Sequence, residues 1–305
     1  MNVNNKYLQI GTCSLALLIA GTPAATAASL QSADVVVIVD ESTSMFGEHQ
    51  WLGTMIPQLD TALQSKGLID NRFGLVGFGN YNYSNNSHNL GRSLPVGGAN
   101  FATSAEFTTA TNNLLVSGWF EDGYSAIDFA LNNYSFREDV AVNFILVTDE
   151  DRDNGNSSLN FTNILAGLQR GTADSKDDIF LNAVVNANFV NDAIGVNSEA
   201  NAYIADGSGG YRTTKLPSLS GIVTNAFSNT EADYIDLALA SGGAGWNLNQ
   251  LRVGGSTATS FTSAFIDIKV EEMQQQQQHK RVPEPVSVLG LLGVGVLGTT
   301  SLNKQ

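Results

Sequence analysis

Three oxygen-bearing side chains stand at alternate positions after the first strongly apolar segment of the chain. Asp40, Ser42 and Ser44 follow directly after the run Val35–Val39. An unbroken apolar run of this kind is typical of a strand that is covered on both faces in a parallel sheet. Ligands of open α/β sheets bind beyond the carboxyl ends of the strands, and magnesium and calcium prefer oxygen ligands. The pattern therefore predicts a site for a divalent cation, Mg²⁺ or Ca²⁺, at the end of this strand.

Helix capping is the alternative explanation for the same side chains. Asp and Ser at the start of a helix accept hydrogen bonds from backbone N–H groups without any metal. Capping explains one of the three residues well, but it does not explain all three at alternate positions. We therefore interpret Asp40, Ser42 and Ser44 as metal ligands.

Strands and helices alternate along most of the chain. Further strands are predicted at the apolar runs 72–78, 142–147 and 178–185. Apolar residues at helical spacing predict helices around residues 52–63, 106–115, 127–134, 161–168 and 261–268. Residues 187–220 are predicted to be an insertion. The alternation predicts an α/β fold with a doubly wound, mostly parallel sheet flanked by helices, and the 305 residues suffice for one such domain with loop insertions.

The segment Asp40-Glu41-Ser42-Thr43-Ser44 after an apolar strand resembles the metal-ion-dependent adhesion site of von Willebrand factor type A (VWA) domains. The stretch Ile235–Gly243 resembles the late helix and glycine turn of the same family, and the resemblance covers residues 33–270. It implies that Asp149 is the metal ligand of the third loop. It also implies that the cation keeps an open position, which binds an acidic group of a protein or polysaccharide partner.

The second loop departs from the family pattern. The family usually has a threonine a few residues before an Ala-Leu pair, whereas counting back from Ala126-Ile127 places Glu121 at this position. A carboxylate adds negative charge and favours calcium, which accepts more oxygen ligands in looser geometry. Glu121 is therefore predicted to be the second-loop ligand, with Asp122 as the alternative. The predicted metal ligands are Asp40, Ser42, Ser44, Glu121 and Asp149.

A second acidic cluster begins at Asp149. Asp149, Asp151 and Asp153 occupy positions one, three and five, as in the opening of a calcium loop. Asn160 stands at the twelfth position, where such a loop needs a glutamate. Asp151 and Asp153 are therefore predicted to lie in a solvated loop beside the main site.

The first 27 residues have the features of a secretory signal peptide. Lys6 precedes an apolar stretch, and small residues at Ala25–Ala27 fit a cleavage site. The mature chain is predicted to begin near Ala28. Cys13 is the single cysteine and lies inside this segment, so the mature protein is predicted to contain no thiol.

The other end, residues 282–305, resembles a PEP-CTERM sorting signal. Pro283-Glu284-Pro285 precedes the apolar stretch 286–302, which as a helix would span about 25 Å. The resemblance implies recognition by an exosortase, transient contact with the inner membrane, and final location at the cell surface or in the extracellular matrix. Only Lys304 stands where an arginine cluster is usual, and a permanent tail anchor is the alternative. The glutamine-rich residues 271–281 are predicted to be a solvated linker.

Composition and residue types restrict the function. The net charge of −14 argues against nucleic acid as a partner, because binding to phosphates needs a basic surface. His49 is predicted to be a surface residue, His88 lies in a polar loop and His279 in the linker, and no nucleophile elbow occurs. The chain is therefore predicted not to be an enzyme. The leading hypothesis is an exported binding or adhesion protein; the alternatives are a structural matrix protein with a vestigial metal site and, less favoured, a surface hydrolase.

Overall fold

The computed structural model describes residues 31–83, 87–170 and 178–281. The predicted signal peptide, residues 1–27, and the predicted sorting signal, residues 282–305, lie outside the described residues. Within the three described ranges, no helix combines the length and the apolar character that crossing a membrane requires.

Strands and helices alternate as the sequence predicts. The strands are β1 (Ala33–Asp40), β2 (Arg72–Phe78), β3 (Tyr81–Asn82), β4 (Ser87–His88), β5 (Arg92–Leu94), β6 (Ala141–Thr148), β7 (Ile179–Val185), β8 (Ala187–Phe189), β9 (Gly195–Asn197), β10 (Asn201–Ala205), β11 (Tyr211–Lys215), β12 (Val223–Ala226) and β13 (Ala244–Asn247). The α-helices are α1 (Phe46–Ser65), α2 (Ser104–Ala110), α3 (Gly123–Asn133), α4 (Phe161–Leu168), α5 (Asp236–Ala240), α6 (Leu248–Arg252) and α7 (Gly255–Arg281).

The central sheet has the order β11-β10-β9-β13-β7-β6-β1-β2-β5. Its middle, from β13 to β2, is parallel, whereas β5 and the β9–β11 side pair antiparallel. This arrangement confirms the predicted fold class. The predicted insertion, residues 187–220, is more ordered than expected, because β9, β10 and β11 within it extend the sheet.

Strand β1 lies at the centre of two apolar layers. Val35, Val37 and Val39 pack in the layer that contains α1 and α7, and Val36 and Ile38 pack in the layer that contains α3 and α4. Burial of each such side chain contributes about 1.5–3 kcal/mol. Coverage on both faces explains the unbroken apolar run. Packing on both faces also holds β1, and with it Asp40 at its end, in place.

The prediction of a solvated linker at residues 271–281 is wrong, because these residues belong to helix α7. The glutamine-rich residues 271–281 form its last turns, and Gln276 and Gln277 are buried. The Gln276 side-chain amide donates to the carbonyls of Val142 and Asp178, at 3.1 and 2.9 Å. These glutamines bind backbone carbonyls at one end of the sheet, so a polar sequence continues the packed helix instead of entering solvent.

The two ends of the described domain meet at that same end of the sheet. Gln277 Nε2 donates to the backbone oxygen of Ser32, the residue before β1, at 3.0 Å. The Asp40 end of β1 is the opposite end of the strand. The predicted metal ligands therefore lie at the end of β1 opposite Ser32 and Gln277.

Candidate metal centre

Adjacent strands bring the first and third predicted loops together. β1 and β6 pair in parallel with Val39 opposite Val147, so Asp40 and Asp149 both leave the sheet at its carboxyl edge. The second predicted loop, at Glu121, directly precedes α3. This helix packs against β1. The structure therefore places all three loops at one edge.

The Asp40 carboxylate is buried and receives two hydrogen bonds. Its Oδ1 accepts from the Ser42 amide at 2.7 Å, and its Oδ2 accepts from Thr148 Oγ1 at 2.8 Å. Burial raises the pKa of Asp40 to about 7, against these hydrogen bonds, and the charge of Asp149 adds to the increase. A cation beside Asp40 would stabilise its charged form and offset the cost of burial.

Ser42, Ser44 and Asp149 form a chain of oxygen atoms next to Asp40. The Ser42 and Ser44 hydroxyl oxygens are 3.1 Å apart, and Ser44 Oγ donates to Asp149 Oδ1 at 2.9 Å. Neighbouring oxygen ligands in an octahedron around magnesium, each about 2.1 Å from the ion, are about 3 Å apart. The spacing of these side-chain oxygens therefore suits a small divalent cation.

Arg252 is a member of the site that the sequence did not indicate. Its guanidinium donates to Asp149 Oδ2 at 2.9 Å, to Glu48 Oε1 at 2.7 Å and to the Ser44 carbonyl at 3.3 Å. The guanidinium offsets the negative charge of Asp149 through Oδ2, whereas Asp149 Oδ1 accepts from Ser44. Because Arg252 lies in α6, these bonds also hold α6 next to the site. Nothing around Arg252 in the sequence distinguishes it from other surface arginines, so only the fold reveals this role.

Glu121 lies close to Asp40 across a glycine. A methyl group placed on Gly79 would be 3.1 Å from Asp40 Oδ1 and 3.3 Å from Glu121 Cγ, so the two acidic side chains flank the same point. Burial raises the pKa of Glu121 to about 9, and the charges of Asp40, Asp153 and Glu150 add to the increase. The second-loop carboxylate is thus held in a strongly negative environment that favours bound cations or protons.

Asp122, the alternative second-loop ligand, has a structural role. It caps the start of α3 through Ser125, and it also accepts hydrogen bonds from Arg152 Nε at 2.8 Å and from the Asn156 amide at 3.2 Å. Burial raises the pKa of Asp122, but the hydrogen bonds from Arg152 and Ser125 outweigh it and hold the pKa below its usual range. These donors bind both carboxylate oxygens, so Asp122 ties the second loop to the third.

The acidic loop after Asp149 is partly bound to the second loop. Asp153 Oδ2 accepts from the Glu121 amide at 2.7 Å, and the Asp153 amide donates to the Glu121 carbonyl at 2.9 Å. Asp153 is exposed, as predicted, but Asp151 and Asp153 also line the cavity at the site. The loop therefore forms one wall of this cavity.

Ser42 and Ser44 line an open cavity with a volume of about 390 Å³. Its lining residues are Ser42, Thr43, Ser44, Gly118, Trp119, Glu121, Glu150, Asp151 and Asp153. Hydroxyl, carboxylate and indole side chains all contribute to this lining.

Two buried side chains, Glu41 and His49, bind the backbone and side chains next to the first loop. The buried Glu41 accepts from Arg92 Nε and from the Leu115 amide, both at 2.7 Å, and so joins the first loop to β5 and to the chain before Trp119. His49 Nε2 is 2.8 Å from the Asp40 carbonyl. The prediction that His49 is a surface residue is wrong, because the first turns of α1 pack against the sheet edge and bury it.

The donor set fits a hard divalent cation that keeps water ligands. Among residues 31–83, 87–170 and 178–281, no three His, Cys, Asp or Glu side chains converge as a metal-binding group. A cation here would depend on serine hydroxyls and carboxylates together. Magnesium and calcium accept such mixed oxygen ligands, and magnesium usually retains several waters. Such a cation would supply positive charge and open coordination positions to an incoming oxygen atom.

Comparison of the sequence with known protein families and with curated proteins gives no match. Several solved structures are similar. One is the conserved hypothetical protein BatB from Bacteroides thetaiotaomicron, with 14% identity, a TM-score of 0.46, and coverage of 81% of this chain and 100% of that chain. Another is proximal thread matrix protein 1 from the mussel byssus, with a zinc-occupied MIDAS motif, 14% identity, a TM-score of 0.38, and coverage of 52% and 36%. A third is the SpRpn10 VWA domain, with 15% identity, a TM-score of 0.35, and coverage of 50% and 75%.

Proposed function

We propose that this protein is an exported VWA-type binding protein that uses a divalent cation to bind a protein or polysaccharide partner. The cation, Mg²⁺ or Ca²⁺, lies beside Asp40, Ser42 and Ser44, with Asp149 and, from the second loop, Glu121 in its immediate surroundings. An oxygen atom of the partner fills the open coordination position. The family resemblance implies that this atom belongs to an acidic group.

One observation carries this proposal. Side-chain oxygens from two neighbouring strand ends form a continuous array, in which Ser44 links Ser42 to Asp149 at 3.1 and 2.9 Å. Ser42 and Ser44 of this array line an open cavity. Helix capping does not require it, since neither Ser42 nor Met45, the residue before α1, makes a side-chain capping bond. The absence of a capping bond from Ser42 supports metal binding over helix capping.

The proposed cellular context is the surface or extracellular matrix of a bacterium. It rests on the signal-peptide features of residues 1–27 and on the sorting-signal resemblance of residues 282–305. An exosortase would handle the apolar segment during transient contact with the inner membrane. Because α7 ends beside the start of β1, a chain held at its C-terminal end would present the cavity away from the attachment point.

The proposal is binding without catalysis. His49 Nε2 contacts the Asp40 carbonyl, and none of the residues that line the cavity is a histidine. Ser42 and Ser44 therefore have no imidazole base beside them in the cavity wall. The two hydroxyls are suited to coordinate and to accept, not to attack a substrate.

A structural matrix protein with a vestigial metal site is the second candidate. The Arg252 guanidinium favours it, because this side chain already offsets charge on Asp149 at 2.9 Å. Under this alternative the arginine takes the place of a metal and the fold serves only as a building unit.

Calorimetric titration with Ca²⁺ and with Mg²⁺ separates the two candidates. We expect the parent protein to bind one ion at this site and Asp40→Ala to lose affinity by at least about 100-fold, because a buried carboxylate ligand is removed. Glu138→Ala, which removes an exposed carboxylate near the start of β6, should bind like the parent. Equal affinity of Asp40→Ala and the parent would refute the site, and no binding by the parent would favour the vestigial alternative.

A further inference from the structure

We propose that the cavity binds a sugar ring of a neutral polysaccharide, which stacks on the Trp119 indole while adjacent hydroxyls of the ring reach the cation and the surrounding carboxylates. The inference rests on the cation site of the proposed function and names the chemical class of its ligand.

Trp119 is an exposed side chain with a fixed position. It is 64% exposed and lines the cavity beside the two serines. Its indole stacks on the ring of Tyr81, with centroids 5.0 Å apart and planes 21° from parallel, and His88 contacts it edge-on at 4.8 Å. The Tyr81 ring supports the indole, while much of the indole surface faces solvent. Such a ring is a ready surface for the apolar C–H face of a sugar.

The backbone before Trp119 explains why the indole is held in place. The Ser117 amide donates to the Glu41 carbonyl at 2.8 Å, and the Ser117 carbonyl accepts from the Tyr81 amide at 3.2 Å. Gly118 has φ of 122°, and a methyl group there would lie 2.1 Å from the Gly79 carbonyl oxygen. The chain thus crosses the sheet edge in a conformation that only glycine permits. With this backbone and with the contacts from Tyr81 and His88, the indole has less freedom to lose on binding, and this favours affinity.

The charge of the cavity selects the ligand. Glu121, Glu150, Asp151 and Asp153 line it, and none of its lining residues is Lys, Arg or His. A single divalent cation would not balance these carboxylates together with Asp40. An acidic ligand would therefore be repelled by most of the wall, whereas hydroxyl groups can donate hydrogen bonds to carboxylates and also coordinate calcium through oxygen. This favours neutral sugars over the acidic group that the family resemblance implies.

The size of the cavity also favours a sugar over a protein surface. A volume of about 390 Å³ lies in the range of small-molecule sites, about 300–1,000 Å³. A stable protein partner would need about 800 Å² on each side, mostly outside this cavity. A polysaccharide can place one ring in the cavity and extend along the surface on both sides.

The test measures binding of the purified domain-containing protein to immobilised dextran, mannan and galactan, and to the acidic polymers alginate and polygalacturonate. We expect calcium-dependent binding to at least one neutral polymer, loss of this binding in chelator, and weaker binding to both acidic polymers. Trp119→Ala should weaken binding at least tenfold. Phe227→Ala, which removes another exposed aromatic side chain that does not line the cavity, should bind like the parent.

Several outcomes would overturn the inference without touching the proposed function. They are a preference for the acidic polymers, no binding to any neutral polymer in calcium, and unchanged binding by Trp119→Ala. Circular dichroism of Trp119→Ala checks that the fold is intact, and Ca²⁺ calorimetry of the same variant should give the parent's affinity. If the parent protein itself bound no ion, this would instead refute the proposed function.

Discussion

Replacing Glu272 with glutamine should lower the free energy of unfolding by about 3–5 kcal/mol, because it leaves a buried lysine without its counter-charge. Lys269 is fully buried in α7, one turn before Glu272, and its ammonium forms an ion pair with that carboxylate. Asn182 on β7 also donates to Glu272 Oε2 at 3.0 Å. Burial lowers the pKa of Lys269 to about 8, and Glu272 opposes this change. The pair is therefore a connected unit whose members depend on each other.

Urea unfolding at pH 7 measures this effect. Glu271→Gln makes the same chemical change one residue earlier at an exposed position, and it should change stability by less than about 0.5 kcal/mol. Lys269→Met combined with Glu272→Leu replaces both charges by apolar groups and should recover most of the loss. Equal stability of Glu272→Gln and the parent would show that the ion pair does not contribute to the stability of the fold.

Replacing Gly243 with alanine should destabilise the fold by more than about 4 kcal/mol, or prevent folding, because the new methyl group would lie 1.8 Å from the Leu181 carbonyl oxygen. Gly243 lies in the turn between α5 and β13, and its amide donates to the Ala238 carbonyl at 3.0 Å. Ser241 Oγ in the same turn accepts from the Leu181 amide at 2.9 Å. The turn therefore sits directly on β7, and neither partner can move without breaking these hydrogen bonds.

Gly47→Ala is the matched control. Gly47 lies in the first turn of α1, and no atom lies within 4 Å of a methyl group placed there. Alanine is favoured over glycine in a helix by about 0.5–1 kcal/mol, so this variant should be more stable than the parent. Thermal or urea unfolding compares the two substitutions. A loss below about 1 kcal/mol in Gly243→Ala would show that the turn is not packed as described.

Features that depend on short stretches of sequence could be predicted. The apolar run of β1 and the residues that follow it were recognisable because both faces of a central parallel strand are buried. The order of strands and helices then placed Asp149 on the same edge as Asp40, since parallel neighbours end together. The same holds for the glycine turn at Gly243, where the structure shows a close backbone contact.

Features that depend on contacts between distant residues could not be predicted. Arg252 reaches Asp149 from 103 positions away along the chain. His49 is buried because α1 turns back under the sheet edge, although its sequence neighbours are polar. Gln276 and Gln277 belong to the core because their amides meet backbone carbonyls at the sheet end, which composition alone does not reveal. Glutamine runs are usually solvated, and here tertiary hydrogen bonds override that tendency.

The most direct measurement of the central claim is a crystal structure of the mature protein grown with Mn²⁺ or Ca²⁺, in which anomalous scattering locates the ion. The expected result is one ion beside Asp40, Ser42 and Ser44, with oxygen ligands at about 2.1–2.6 Å and Asp149 and Glu121 in its immediate surroundings. The contradictory result is an ion held only by Asp151 and Asp153, or none at this edge of the sheet at saturating metal.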